Sequence, residues 1–247
     1  MNLLATPTFL KTHWDNSFDL KNHLQGFLNL EKEVLENALI TSQEELAQLG
    51  KNDFDWEKAT QFYRDKVGDL HLFELAAWHL NSSDYIRDTL RLISDNVRGK
   101  VLDFGGGIGT HSIAAALSPE VEQVIYCDIN PRNLDFVQYR INQLGLTDKV
   151  TCCSTVNKIE FFDTIICFDV LEHLSDPSQQ LLLFKKMLAP QGKLIINWYF
   201  FKGFNQEYPF HIDDTDIVEH FFKTLQHNFL EVFHPYFITS RCYRKMQ

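Results

Sequence analysis

The chain has 247 residues, 45% of them apolar and 23% charged, with a formal net charge of −10. That composition suffices for one sizeable core with an appended smaller region, and the acidic balance argues against a protein that grips nucleic acid through a basic face. No apolar run approaches the roughly 18 residues of a membrane span.

The first residues, MNLLATPTFLKTHWDN, lack the basic start and long apolar stretch of a secretory signal. Five cysteines (Cys127, Cys152, Cys153, Cys167 and Cys242) form no CxxC pair and no Cys/His zinc spacing. An odd number, four of them in apolar runs, implies reduced thiols and a cytoplasmic location.

From about residue 20 to 97 the rhythm is helical. LEKEVLENALI puts Leu30, Val34, Leu35, Ala38 and Leu39 on one stripe. DWEKATQFYRDK, DLHLFELAAWHL and SSDYIRDTLRLISDNV read the same way, with Ser82 and Ser83 placed to cap the last. This half is rich in aromatics, among them Trp14, Phe18, Phe54, Trp56, Phe62, Tyr63, Phe73, Trp78 and Tyr85. Aromatics at helical spacing are core by default.

After residue 98 strands alternate with helices. KVLDFGG is a strand running into a glycine loop, followed by the helix GTHSIAAALS. VEQVIYCDIN is a second strand and PRNLDFVQYRINQLG a helix with proline in its first turn. KVTCCS and FDTIICFDVLEH are further strands, SQQLLLFKKMLAPQG a helix ending at Pro190 and Gly192, and KLIINWYF a fifth strand. A helix (DTDIVEHFFKTLQHNF) and two strands (LEVFHPYFITSRCYRK) close the chain as an antiparallel hairpin, with RCYRK expected as a solvated edge. Strands apolar on both faces and separated by helices predict a mostly parallel sheet covered on both sides. The chain divides into a helical region, 1–97, and an α/β domain, 98–247.

The glycine loop carries chemistry. Glycines after a strand permit a tight turn into a helix and leave backbone bare for a ligand at the strand's carboxyl end. A dinucleotide fingerprint needs glycine at the sixth position from Gly105, where Thr110 stands. That disfavours a nicotinamide oxidoreductase. The pattern acid-x-G-x-G-x-G fits instead, as Asp103, Gly105, Gly107 and Gly109. Asp128 ends the next strand, 23 residues past Gly105, where a carboxylate can accept from both hydroxyls of a ribose.

With VLDFGGGIGTH, CDIN and FDTIICFDVLEHLSDP, the chain resembles class I S-adenosylmethionine-dependent methyltransferases, in particular the ubiquinone-biosynthesis type, across about 98–200. The resemblance implies a Rossmann-like seven-stranded sheet under an N-terminal helical cap, with S-adenosyl-L-methionine as cofactor. Asp103 and the Gly105, Gly106 and Gly107 backbone would hold the methionine part, with Gly109 and His111 behind them. Asp128 would take the ribose, Ile129 and Asn130 the adenine side, and Phe168 and Asp169 the sulfonium. CCSTVN lacks the family's adenine-binding aspartate, which leaves that contact to Ser154 and Thr155.

Beyond the cofactor, Glu172, His173 and His211 are candidate catalytic groups, since methyl transfer needs a positioned and deprotonated acceptor. Asp169, Glu172, His173 and His211 also resemble the metal site of small-RNA 2′-O-methyltransferases and of some ubiquinone-type O-methyltransferases, which would supply a divalent ion. Tyr63, His71 and Trp78 in the cap, Tyr199 in WYFFKGFNQEYPF and His211 in YPFHIDD are expected around a partly aromatic acceptor pocket. The expected activity is methylation of an oxygen or nitrogen on a small molecule. Alternatives are a protein or peptide methyltransferase and a non-catalytic binding protein of the same fold. Neither a nucleic-acid partner nor a membrane span is expected, and a homodimer is left open.

Overall fold

The computed structural model describes residues 10, 16–53, 58–156, 160–234, 236 and 239–246. Trp14, Phe54 and Trp56 lie outside them. Helices α1 (Leu20–Leu28), α2 (Lys32–Asp53), α3 (Ala59–Asp65), α4 (Gly68–Asn81) and α5 (Ser83–Asn96) precede the sheet. Then come β1 (Gly99–Phe104), α6 (Thr110–Leu117), β2 (Val121–Cys127), α7 (Pro131–Gln143), β3 (Val150–Cys153), β4 (Phe162–Cys167), α8 (Pro177–Met187), β5 (Leu188–Ile196), α9 (Thr215–Asn228), β6 (Phe229–Val232) and β7 (Arg241–Lys245).

Local chemistry places the helix starts. The Asn130 side chain accepts from the amides of Arg132 and Asn133, and Pro131 takes the first turn of α7. Asp176 and Asp214 cap α8 and α9 in the same way. Ser82 occupies the corresponding position of α5, but its side chain makes no capping bond. In the predicted stripe on α2, Leu35 is buried whereas Val34 is 53% exposed.

The strands form one seven-stranded sheet in the order β3-β2-β1-β4-β5-β7-β6. β1 to β5 are parallel, and β7 runs antiparallel to both β5 and β6. Two expectations are corrected. RCYRK is not the edge: β7 lies between β5 and β6 with Cys242 and Tyr243 buried, and β6 takes the outer place. Helix α8 also stops at Met187, short of Pro190. Leu188 turns extended (φ −73°, ψ 134°) and pairs with Phe162, burying its side chain in the sheet instead of adding a helical turn.

The core lies on both faces of the sheet. Ile86, Leu90 and Ile93 of α5 pack with Val101, Ile113 and Val124, so α5 shares the sheet's own core. On the other face Ile165, Leu181, Phe184, Leu194 and Phe221 pack together. Each fully buried side chain of this kind contributes about 1.5–3 kcal/mol. The earlier helices dock through a separate cluster, in which Leu20, Leu24, Leu35, Leu72 and Ala76 meet Ile108 and Phe136. Arg140, fully buried, fastens the same layer. Its guanidinium donates to the carbonyls of Ile108 (2.6 Å), Ser17 (3.1 Å) and Phe18 (3.1 Å).

Candidate active site

Strand order reverses between β1 and β4, and the crevice at their carboxyl ends is where open α/β sheets bind ligands. A cavity of about 480 Å³ occupies it. One end is the glycine loop. Gly105 and Gly107 have left-handed backbones (φ +70° and +53°), and a Cβ on Gly105 would collide with Val170. Beneath the loop, Asp103 accepts from Ser112 Oγ at 2.6 Å. Asp128 accepts from the amides of Gly107 (2.9 Å) and Asn130 (2.8 Å) and from Asn133 Nδ2 (3.2 Å). The carboxylate at the end of β2 is therefore oriented by the same loop that lies open to the cavity. Burial pushes Asp103 up to about 7 and Asp128 up to about 6.

The other end is assembled from distant segments. Asp169 follows β4 with φ +53°, a conformation uncommon outside glycine. Asn197 clamps it there: Oδ1 accepts from the Asp169 amide (2.6 Å), and Nδ2 donates to the Asp169 carboxylate (2.7 Å) and to Tyr85 Oη (3.1 Å). A 3₁₀ turn, Leu171–His173, then brings up Glu172 and His173. The loop after β5 folds back onto this turn, with the Ile212 amide donating to the Glu172 carbonyl at 2.8 Å, and so delivers His211.

Glu172, His173 and His211 offer ligand atoms that all lie within 4.8 Å of one another. His173 Nδ1 is 3.0 Å from both the Phe210 carbonyl and Tyr63 Oη. A carbonyl only accepts, which assigns the hydrogen to Nδ1 and leaves the Nε2 lone pair free. Glu172 Oε2 and His211 Nδ1 are buried with no hydrogen-bond partner, an arrangement that is costly unless a ligand completes it. The residues thus fit a cation. Asp169 does not join this three-residue group.

Electrostatics separate the acids from the histidines. Burial, reinforced by Asp169, raises Glu172 to about 8 and Glu74 of α4 to about 7. Asp169 faces the open cavity, yet the surrounding protein still lifts it to about 6. Burial lowers His71 and His211 to about 4, and His111 and His173 to about 3. At neutral pH the imidazoles are uncharged, and Glu172 and Glu74 are the groups near their titration point.

Of the predicted residues, Asp103, Gly105, Gly106, Gly107, His111, Asp128, Ile129, Asn130, Phe168 and Asp169 line the cavity. So do Tyr63, His71, Trp78, Glu172, His173, Tyr199 and His211. Three do not. Ser154 and Thr155 are exposed and outside it, because β3 ends at Cys153 and the chain turns outward. Gly109 lies behind the loop as the N-cap of α6, packed toward Val137. Glu74 and Asn197, which the sequence reading does not single out, also line the cavity, together with Tyr85 of the cap aromatics and Tyr208 of the WYFFKGFNQEYPF stretch. Glu74 had one available signal: it shares a helical face with His71 and Trp78, at i+3 and i−4.

Comparison with known proteins agrees with this geometry. Residues 77–208, more than half of the chain, match the family described as "Methyltransferase domain". An uncharacterised protein of Synechococcus sp. is 32% identical over 108 residues, 41% of this chain and 26% of that protein. The chain thus spans about a quarter of the length of that curated relative. The N-methyltransferase NodS from Bradyrhizobium japonicum is 18% identical with a TM-score of 0.51, over 68% of this chain and 99% of that one. Magnesium protoporphyrin IX methyltransferase (ChlM) from Synechocystis, determined with bound S-adenosylmethionine, is 18% identical with a TM-score of 0.52, over 78% and 97%. At such identities the likeness to solved structures is one of fold. Among the described residues no helix is long and apolar enough to cross a membrane.

Proposed function

The chain belongs to the class I S-adenosylmethionine-dependent methyltransferases, and on that premise we propose that it methylates an oxygen or nitrogen of a small-molecule acceptor held in the cavity between the glycine loop and Glu172. The observation that carries this is the joining of two differently built ends in one enclosed space: a ribose-type carboxylate oriented by Gly107 and, beyond it, a buried proton-handling group. The cofactor S-adenosyl-L-methionine supplies an activated methyl group when bound. Asp103 and the backbone of Gly105–Gly107 take its methionine part, Asp128 its ribose, and Ile129 and Asn130 its adenine side. Phe168, edge-on to the His111 ring with centroids 4.6 Å apart, and Asp169 border the reacting centre.

The acceptor occupies the space walled by Tyr63, Trp78, Tyr199 and His211. The helices up to α4 form the cap that closes it, since Tyr63, His71, Glu74 and Trp78 all reach the cavity from that side. Glu172 takes the acceptor's proton. A base works best when it titrates near the working pH, and Glu172 does so whereas His173 and His211 do not. The neutral histidines orient the acceptor.

A second reading is a divalent ion held by Glu172, His173 and His211, favoured by the unpartnered Glu172 Oε2 and His211 Nδ1. Calorimetric titration with S-adenosylhomocysteine, repeated with EDTA and with added Mn²⁺ or Zn²⁺, tests both readings. Binding of S-adenosylhomocysteine that ignores EDTA supports the metal-free form. Metal binding abolished by Glu172→Ala supports the second. No nucleoside binding under any condition overturns the methyltransferase reading.

A further inference from the structure

The wall of the cavity contains five carboxylates, Glu74, Asp103, Asp128, Asp169 and Glu172, and among the described residues no lysine or arginine. Asp103 and Asp128 belong to the glycine-loop end and are held by protein hydrogen bonds. The remaining three gather at the other end with less support. Glu172 is 1% exposed and its Oε2 has no partner, while Glu74 is half-buried and the exposed Asp169 carboxylate accepts from Asn197 Nδ2. A buried carboxylate such as Glu172 is costly without a counter-charge, and a ligand's cation would meet it together with the more open Glu74 and Asp169. A divalent ion at Glu172, His173 and His211 would leave Glu74 and Asp169 outside its ligand group. The neighbouring walls are aromatic: Tyr63, Trp78, Tyr85, Tyr199 and Tyr208. Carboxylates with aromatic faces recognise an organic ammonium by charge and by cation–π attraction together.

We propose that the acceptor is an aliphatic or arylalkyl amine, bound as its ammonium ion among Glu74, Asp169 and Glu172 with its carbon skeleton against the aromatic walls, and that the methyl group goes to this nitrogen. The inference rests on the methyltransferase reading and narrows its acceptor to one class. The ammonium gives one proton to Glu172, and the nitrogen lone pair so freed forms the new N–C bond while the C–S bonding pair stays with sulfur. The product leaves as a methylated ammonium. Charge on the nitrogen is the same before and after, so the three acids hold substrate and product alike.

The test uses the purified full chain saturated with S-adenosylhomocysteine and a panel of alkyl- and arylalkylamines. Each amine is paired with the alcohol in which OH replaces NH₂. Binding is read by quenching of tryptophan fluorescence, since Trp78 and Trp198 line the cavity. Transfer is read separately with labelled methyl donor. We expect amines to bind more tightly than their alcohols and to be methylated. Glu74→Gln and Asp169→Asn should each weaken amine binding on the order of tenfold or more, the scale of a lost charge-assisted contact, with the unchanged S-adenosylhomocysteine affinity of Glu74→Gln, which lies outside the cofactor contacts, as the check on folding. The proposal is overturned if alcohols bind or react in preference, or if no amine binds although S-adenosylhomocysteine does. Amine affinity that survives both substitutions also overturns it. In those cases the methyltransferase reading stands. Failure to bind S-adenosylhomocysteine removes that reading and the amine with it.

Discussion

At the glycine-loop end of the cavity both carboxylates already have partners, whereas at the acceptor end Glu172 Oε2 and His211 Nδ1 await one. Asp128 accepts three hydrogen bonds from groups within 21 residues of it, and Asp103 is bonded to Ser112 nine residues on. Glu172 Oε2 and His211 Nδ1 are buried and empty-handed, and the groups around them come from α3, α4, the β4 turn and the loop after β5. The first end is preorganised for one ligand by local chain geometry. The second is a set of unmet demands, and its ligand is defined by what would meet them. Affinity for the cofactor should therefore survive damage to the acceptor end, and the reverse substitution should weaken the cofactor without moving the base.

Glu172→Gln should break the comparison most sharply. Loss of a proton acceptor lowers turnover by about 10²–10⁴-fold, while calorimetry should find S-adenosylhomocysteine affinity unchanged. A parallel fall in both would mean that Glu172 supports the fold instead. Arg140→Met attacks the platform on which the cap stands. It strips three carbonyls of a buried donor, and chemical denaturation should register a loss of about 3 kcal/mol. An unchanged midpoint would show that the apolar cluster alone docks the cap.

Asp128→Ala should weaken S-adenosylhomocysteine binding by about 1–3 kcal/mol and leave the unfolding midpoint within a few degrees of the parent. Intact affinity would remove the ribose assignment. The smallest expected effect is in pH dependence. Glu74 is held at about 7 in the folded chain against an ordinary 4.5. The folded state then carries the extra proton between those values, so the stability this group contributes at low pH is lost as pH rises through about 7. Glu74→Gln should escape that loss and gain about 1–2 kcal/mol over the parent between pH 4.5 and 8.5, discounted for the partial exposure of the side chain. Melting curves of the two proteins that stay parallel across this range would place Glu74 in water.

The sequence by itself determined the α/β alternation, the helix start at Pro131, and the glycine-loop end of the site. Those features depend on residues close in the chain: a short run of apolar residues, a proline in a first turn, a glycine that tolerates positive φ. Tertiary structure decided the rest. That β7 sits inside β6, and that Leu188 extends the sheet instead of the helix, follows from which apolar faces can be buried together, a competition no local pattern records. The removal of Ser154 and Thr155 from the cavity follows from where β3 ends in the sheet. Glu172, His173 and His211 stood out as residue types, but their convergence, and the arrival of Glu74 and Asn197 beside them, rests on one loop folding back over the β4 turn and on helices docking from more than 90 residues away. A carboxylate acquires a raised pKa only when such packing takes water from it, and that desolvation is a property of the assembled cavity rather than of any stretch of chain.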